Sequence, residues 1–306
     1  MRILVLGAGA VGGYFGGRLA GAGADVTFLV RARRAAQLAQ NGLIVRSPLG
    51  DLRTPVKAVE RVEQPFDLII LSCKAYDLEA AMTAVAPAVG PDTFLLPLLN
   101  GLRHFDALDA QFSARRVLGG CCFIGAALTP AGEIEHLNRL QRLVLGPRLP
   151  EQREGCERAR AALAQGGFSP QLSFVVMEDV WEKLVFLASL AGITCLMRAT
   201  IGAIASTSDG AAIALELLAE CRAVAAASFF PPRPEFLAQS RAMLTDRASD
   251  AASSMLRDMQ RGGETEQDHI LGDMLLRAAS LGVATPVLRL ARAHMQAYDA
   301  MRAARG

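Results

Sequence analysis

The rhythm of apolar and polar positions changes near the middle of the chain. In the first part, apolar runs of strand length recur: RILVLG (2–7), DVTFLV (25–30), FDLIILSC (66–73), TFLLPLL (93–99), RVLGGCCFIGAAL (116–128) and QRLVLG (141–146). Helical patterns fill several of the gaps, such as 10–22 and 77–86. Apolar strands alternating with helices predict a largely parallel sheet covered on both faces. GGFSPQLSFVV (166–176) is expected to carry the last strand and the exit from this region.

From about residue 177 the pattern is helical. MEDVWEKLVFLASLAGITCLMRA (177–199) reads as one long helix, and 209–229 as another, stopped by Pro231 and Pro232. SMLRDMQRGG (254–263) ends in glycines, a common helix exit. TEQDHILGDMLLRAASLG (265–282) restarts with a cap-like Thr-x-x-Asp and ends at Gly282, and the last helix follows Pro286. The expectation is an α/β domain over residues 1–175 and an all-α domain over 176–306.

Composition narrows the picture. With 306 residues, 52% hydrophobic and 20% charged, the chain has material for two packed domains, and wholesale disorder is excluded. A net charge of +2 gives no ground for a nucleic-acid partner. The cysteines at 73, 121, 122, 156, 195 and 221 form no CxxC pair, and most sit in apolar stretches. That pattern suits buried thiols in a reducing cytoplasm, with neither a disulfide frame nor a metal site. The N-terminus enters a glycine loop at once, unlike a signal peptide. The apolar run Leu184–Met197 falls short of the ~20 residues of a membrane span, so a buried core helix and no membrane are expected.

LGAGAVGGYFG places Gly7, Gly9 and Gly12 in G-x-G-x-x-G spacing, with Ala8, Ala10 and Val11 completing the loop. Gly7 permits a tight turn, Gly9 lets backbone approach a pyrophosphate, and Gly12 permits close helix–strand packing. The motif follows a strand, opens a helix and precedes a second strand, which is the context that gives it meaning. A nicotinamide dinucleotide is the expected cofactor. NAD binders usually carry an acid after the second strand. Here LVRARR supplies Arg31, Arg33 and Arg34, and guanidinium groups suit a 2′-phosphate. NADP is therefore expected, with Arg31 as the leading contact.

Taken with GAGAVGGYFGGRLA and LVRARR, the later segments SCKAYD, LLNGL, WEKLVFLA and SSMLRDMQRGGETEQDHILG give the chain a resemblance to the ketopantoate reductase family over nearly its whole length. The resemblance implies a Rossmann-like, doubly wound N-terminal sheet and a helical C-terminal domain, as in the 6-phosphogluconate dehydrogenase superfamily. It also implies reduction of 2-dehydropantoate by NADPH to (R)-pantoate in pantothenate biosynthesis. Matched position by position, it makes Lys74 a cofactor-side lysine and places Asn100 beside the nicotinamide ribose and the reacting centre. Lys183 becomes the catalytic lysine, and Ser254 and Glu266 become substrate-site residues, with Glu266 also in the catalytic group.

The chemistry agrees. Only three of the 32 basic residues are lysine (Lys57, Lys74 and Lys183), and two of them fall on these motifs. Hydride arriving at a ketone carbon leaves an oxygen that needs a proton, which a lysine can deliver and an arginine essentially cannot. Each residue also has a structural reading: Lys183 as a snorkelling helix-end lysine, Glu266 as an acid complementing a helix dipole, Ser254 as a helix-start serine.

The pattern also departs from the family. Four and eight residues beyond the lysine, where the family typically has asparagines facing substrate, this chain has Leu187 and Ala191; a later family asparagine aligns with Ile201. Leu187 and Ala191 lie near the Lys183 face of a helix and are expected to line the acyl end of the substrate site. A small 2-oxo acid, ketopantoate or a more apolar relative, is the expected partner. A 3-hydroxy-acid dehydrogenase and a non-catalytic NADP-sensing protein are the alternatives, and a homodimer is left open.

Overall fold

A computed structural model of the chain describes residues 1–304. The chain divides into two compact units, Met1–Leu99 with His104–Asp179, and Asn100–Arg103 with Val180–Gly306. This division falls inside a helix, a few residues beyond 175, and a four-residue loop from the sheet region groups with the helical unit.

The first unit is built on two sheets rather than one. Strands β1 (Ile3–Leu6), β2 (Val26–Leu29), β5 (Lys57–Val59), β6 (Leu68–Leu71) and β7 (Phe94–Pro97) form a parallel sheet in the order β5-β2-β1-β6-β7. Every residue of β1, β2 and β6 is buried, as their unbroken apolar runs require. Each large aliphatic side chain so buried contributes about 1.5–3 kcal/mol. The second sheet is mixed, with order β10-β9-β3-β4 and β8 on β9. It contains the antiparallel pair β3 (Leu43–Arg46) and β4 (Leu52–Thr54), and the antiparallel pair β8 (Gly119–Leu128) and β9 (Ile134–Gly146). The two-residue β10 (Gln171–Leu172) runs parallel to β9. The runs 116–128 and 141–146 therefore build the second sheet, and only the start of the first keeps a parallel bridge, Val117 to Leu95 of β7.

Helix α1 (Ala10–Gly21) lies between the two sheets, and its glycines explain how. A Cβ on Gly12 or Gly16 would come within 3.1 Å of Val5, and one on Gly16 within 2.7 Å of Phe28, both in the parallel sheet. A Cβ on Gly13 or Gly17 would come within 2.5 Å of Ile134 or Leu43, in the mixed sheet. Two faces of one helix approach two sheets more closely than any side chain would allow. The other helices of this unit are α2 (Ala32–Asn41), α3 (Leu78–Val85), α4 (Arg103–Phe112), which starts at the unit boundary, and α5 (Arg153–Leu163).

The second unit is helical: α6 (Val176–Met197), which enters from the first unit, α7 (Ile201–Ala205), α8 (Gly210–Ala227), α9 (Pro234–Thr245), α10 (Ser254–Gln260), α11 (Asp273–Ser280) and α12 (Pro286–Ala303). At 22 residues α6 is long and apolar enough to cross a membrane by length and composition, but 67% of its most apolar window is buried inside the protein. It ends at Met197, and Arg198 turns into the left-handed region with φ of 53°. No two of the six cysteines form a disulfide. Burial pushes the Cys156 and Cys221 thiols up to about 12 and Cys195 up to about 11, which suits inert packing.

Candidate active site

In the first unit the chain runs outward from β1 to β2 and β5, then returns to β6 on the other side of β1. Such a reversal opens a crevice at the carboxyl ends of the strands. The glycine loop occupies that position. Gly7 follows β1 with φ of 87°, a conformation that favours glycine, and its N–H donates to Leu29 O at 2.9 Å. Ser72, just beyond β6, donates its hydroxyl to Leu6 O at 3.0 Å and ties the two strand ends together. A Cβ at Gly12 would lie 2.1 Å from Ser72 Oγ and 2.4 Å from Gly7 O, so packing excludes one.

Gly9 is different: a Cβ there would meet no atom within 4 Å. Among the described residues nothing requires glycine at that point, and the space beside it is open. Gly9 is also the N-cap of α1, with no side-chain cap and no acid in the first turn. The first amides of α1 are thus left for an outside acceptor, an arrangement that fits an anion such as a pyrophosphate. Ala8 is buried under the loop, while Ala10 and Val11 are half-buried along it.

The three arginines after β2 have separate fates. Arg31 is exposed, and its Nη2 donates to Asp77 Oδ1 at 2.5 Å. Arg34 turns inward; Nε donates to Ala8 O at 3.1 Å and Nη1 to Gly132 O at 2.7 Å. Its burial lowers the guanidinium pKa from the ordinary value. Arg34 is therefore a brace for the glycine loop rather than a phosphate ligand. Arg33 points to solvent on α2. Lys74 is half-buried in the short link after β6, immediately before a single 3-10 turn at Ala75–Asp77.

In the second unit the head of α6 is firmly held. Trp181 stacks on Phe230 with ring centroids 5.6 Å apart, and the Arg277 guanidinium lies 5.3 Å from the Trp181 ring centroid. Glu182 accepts from the Arg233 backbone N–H and from Arg233 Nε, both at 2.8 Å. These contacts fix the turn that carries Lys183, which is half-buried. Leu187, one turn on, is also half-buried, but Ala191 has 0% of its surface exposed. Ala191 therefore packs beneath this face and does not line a site in this conformation. Ile201 is equally buried, in α7.

Thr194, almost in line with Lys183 after three turns, donates to Ser253 Oγ at 2.9 Å. Ser253 is the N-cap of α10, accepting from Leu256 N–H at 3.0 Å. The helix-start role considered for Ser254 thus belongs to its neighbour, and Ser254 is a half-buried first-turn residue. The start of α10 is tied to the Lys183 face of α6, but roughly 16 Å along the axis from Lys183 by helical rise.

Glu266 is buried, 6% exposed. The expected cap at Thr265 does not form: its hydroxyl is buried without a hydrogen-bond partner. The chain instead enters a π-helical turn, Asp268–Gly272, which leads into α11. Wide turns of this kind often mark functional positions. This one presents His269 to the loop holding Asn100. The His269 ring is hydrogen-bonded to the Asn100 backbone, and a Cβ on Gly101 would lie 2.5 Å from it. Asp268 clamps the same region, accepting from Arg103 at 3.0 Å and Arg292 at 2.6 Å. Burial lowers the His269 pKa, against the opposing charges of Glu266 and Asp273. His269 thus links the Asn100 loop to the segment bearing Glu266.

Asp77 and His269 both escaped the sequence reading. Each lies in a motif quoted for its neighbours, and each acquires its role from a partner more than 40 residues away.

Comparison with known proteins places this architecture. Over 301 residues the chain is 38% identical to a Bacillus subtilis (strain 168) protein described as uncharacterized oxidoreductase YkpB, covering 98% of this chain and 99% of that one. The crystal structure of 2-dehydropantoate 2-reductase from Geobacter metallireducens GS-15 superposes with a TM-score of 0.88 at 29% identity, covering 97% of this chain and 99% of that one. D-mandelate dehydrogenase, in a ternary structure with NADH and anilino(oxo)acetate, gives a TM-score of 0.90 at 23% identity, covering 99% of each chain, a likeness of fold. Residues 3–149 match the family described as ketopantoate reductase PanE/ApbA, and residues 175–299 match its C-terminal domain. With the doubly wound sheet, its glycine loop and the helical unit all in agreement, the chain belongs to the ketopantoate reductase family of oxidoreductases.

Proposed function

We propose that this protein is an NADPH-dependent reductase of a small 2-oxo acid, with 2-dehydropantoate or a more apolar relative as substrate and the 2-hydroxy acid as product. For 2-dehydropantoate the product is (R)-pantoate, which would place the enzyme in cytoplasmic pantothenate biosynthesis. When bound, the reduced nicotinamide supplies the hydride. The glycine loop and the first amides of α1 hold the pyrophosphate, Lys74 supports the cofactor, and Arg31 meets the 2′-phosphate. Asn100 orients the nicotinamide ribose and the substrate carbonyl. Lys183 gives its proton to the carbonyl oxygen as charge develops there. Glu266 and Ser254 hold the polar end of the substrate, and Leu187 covers its apolar part.

The observation that carries this reading is Lys183. It is the single lysine of the helical unit, half-buried near the head of a largely apolar helix, on a turn fixed by Trp181 and Glu182. A lysine so placed can give up a proton to a developing alkoxide, which an arginine essentially cannot.

The test is a substrate panel followed through the absorbance of the reduced nicotinamide. Oxidation of NADPH that depends on a 2-oxo acid supports the proposal. Preferential reduction of NADP by 3-hydroxy acids would replace it with the oxidative alternative. Cofactor binding without turnover on any member would favour a sensing role. Titrating NADPH and NADH against wild type and Arg31→Ala tests the cofactor separately; equal affinities in the wild type would remove the NADPH assignment.

A further inference from the structure

The sequence after β2 offers three arginines to a 2′-phosphate and shows no acid beside them. The folded chain offers something else. Arg34 is committed to Ala8 O and Gly132 O, and its place on α2 is inward. Arg31 remains, with 80% of its side chain exposed, but it is bonded to Asp77. Asp77 is the last residue of the 3-10 turn Ala75–Asp77 that follows β6, and Arg31 lies just beyond β2. These strands flank β1 on opposite sides, about 10 Å apart at ordinary strand spacing. The ion pair therefore joins the segments that follow the two strands beside β1, at the end of the sheet where the glycine loop begins. An acid thus stands beside the arginine that follows the second strand, where NAD-binding sheets usually carry an acid of their own, although here it comes from another segment.

We propose that Asp77 sets the nicotinamide selectivity of this enzyme. The inference rests on the cofactor reading above, in which Arg31 receives the 2′-phosphate. To bind NADPH, Arg31 must exchange the Asp77 carboxylate for the phosphate, and the carboxylate left nearby repels the phosphate's charge. NADH asks for no such exchange and leaves the pair intact. Asp77 thereby narrows the advantage that Arg31 gives to NADPH. An exposed pair of this kind adds little to folding, so its removal leaves the protein intact.

The experiment is calorimetric titration of NADPH and of NADH against the full chain as wild type, Asp77→Asn, Arg31→Ala and the double variant, with thermal unfolding as a check on folding. Asp77→Asn should tighten NADPH by up to about 5-fold, the upper end of what an exposed charge pair commands, and leave NADH unchanged. In the Arg31→Ala background the same change should have a smaller effect. An unchanged NADPH-to-NADH ratio in Asp77→Asn, with NADPH weakened by Arg31→Ala, overturns the role of Asp77 and leaves the NADPH reading standing. Weaker NADPH binding in Asp77→Asn also overturns it and makes Asp77 an aid that orients Arg31. If Arg31→Ala leaves NADPH binding untouched, the NADPH reading itself falls and this inference with it.

Discussion

Gly9 and Gly12 belong to the same motif but should fail in different ways when replaced by alanine. At Gly12 the new Cβ would lie 2.4 Å from the Gly7 carbonyl oxygen, which is backbone and cannot swing aside. An ordinary carbon–oxygen contact is longer by roughly 0.8 Å, so the loop or α1 must move. Overpacking of this sort costs about 1–3 kcal/mol, or a Tm lower by roughly 2–12 °C. At Gly9 the Cβ meets nothing within 4 Å, and φ of −81° suits alanine. Losing a favourable N-cap residue is offset by about 0.4–1 kcal/mol of reduced unfolded-chain entropy. Gly9→Ala should therefore melt within roughly 3 °C of wild type. Its methyl group nonetheless stands where a pyrophosphate would approach. Loss of one charge-assisted hydrogen bond, about 1.5–3 kcal/mol, weakens cofactor binding by roughly 10–150-fold. Scanning calorimetry paired with NADPH titration reads both quantities. Normal NADPH affinity in Gly9→Ala would refute the argument that the open space is the cofactor's, and a large loss of Tm would refute the open space itself.

Further expectations concern the helical unit. Lys183→Ala should keep NADPH binding, since the glycine loop lies in the other unit, yet lower turnover by roughly 10²–10⁴-fold; Lys183→Arg should be poor too, and near-normal turnover there would mean that only charge is required. Leu187→Asn should raise kcat/KM for 2-dehydropantoate relative to less polar 2-oxo acids by roughly 2- to 10-fold, the range of one added hydrogen bond. Ala191→Asn should instead destabilise by about 1–3 kcal/mol, because the site is already filled; an unchanged Tm would show that the site has room. Because the His269 pKa is depressed from 6.5, the unfolded chain binds that proton more readily than the folded one. Its share of stability is complete above pH 6.5 and is lost as pH falls through the folded-state pKa. Urea titrations between pH 8 and pH 5 should show a decline that His269→Gln flattens, and an equal slope in both proteins would exclude His269 as its source.

Local chemistry in the sequence was enough for the α/β-then-α order, the glycine loop and the long apolar helix, whereas Lys183, Asn100 and Glu266 were singled out by the resemblance to a family. A strand–glycine–helix junction and a helix of nearly unbroken apolarity are short-range patterns, and the chain carries them openly. Sheet membership is not short-range. The run 116–128 has the apolarity of a parallel core strand, but its partner is the long β9, and that pairing created a second sheet which no periodicity announced. Even the Gly-Gly spacing in α1 reads locally as permissive helix composition; only the two sheets on either side show why side chains are missing on two faces.

The site divides in the same way. Residue type identified which side chains could hold a phosphate or move a proton, because that capacity belongs to the side chain itself. Availability was decided by folding. Arg34 was drawn inward to brace Ala8, Arg31 met an acid 46 residues away, Ala191 was covered, and Ser253 took the cap beside Ser254. Ionic and hydrogen-bonding partners are chosen by proximity in space, and the sequence separation of those partners leaves no periodic trace. The sequence determined what chemistry this protein carries, and the tertiary structure determined which of its charges are still free to use it.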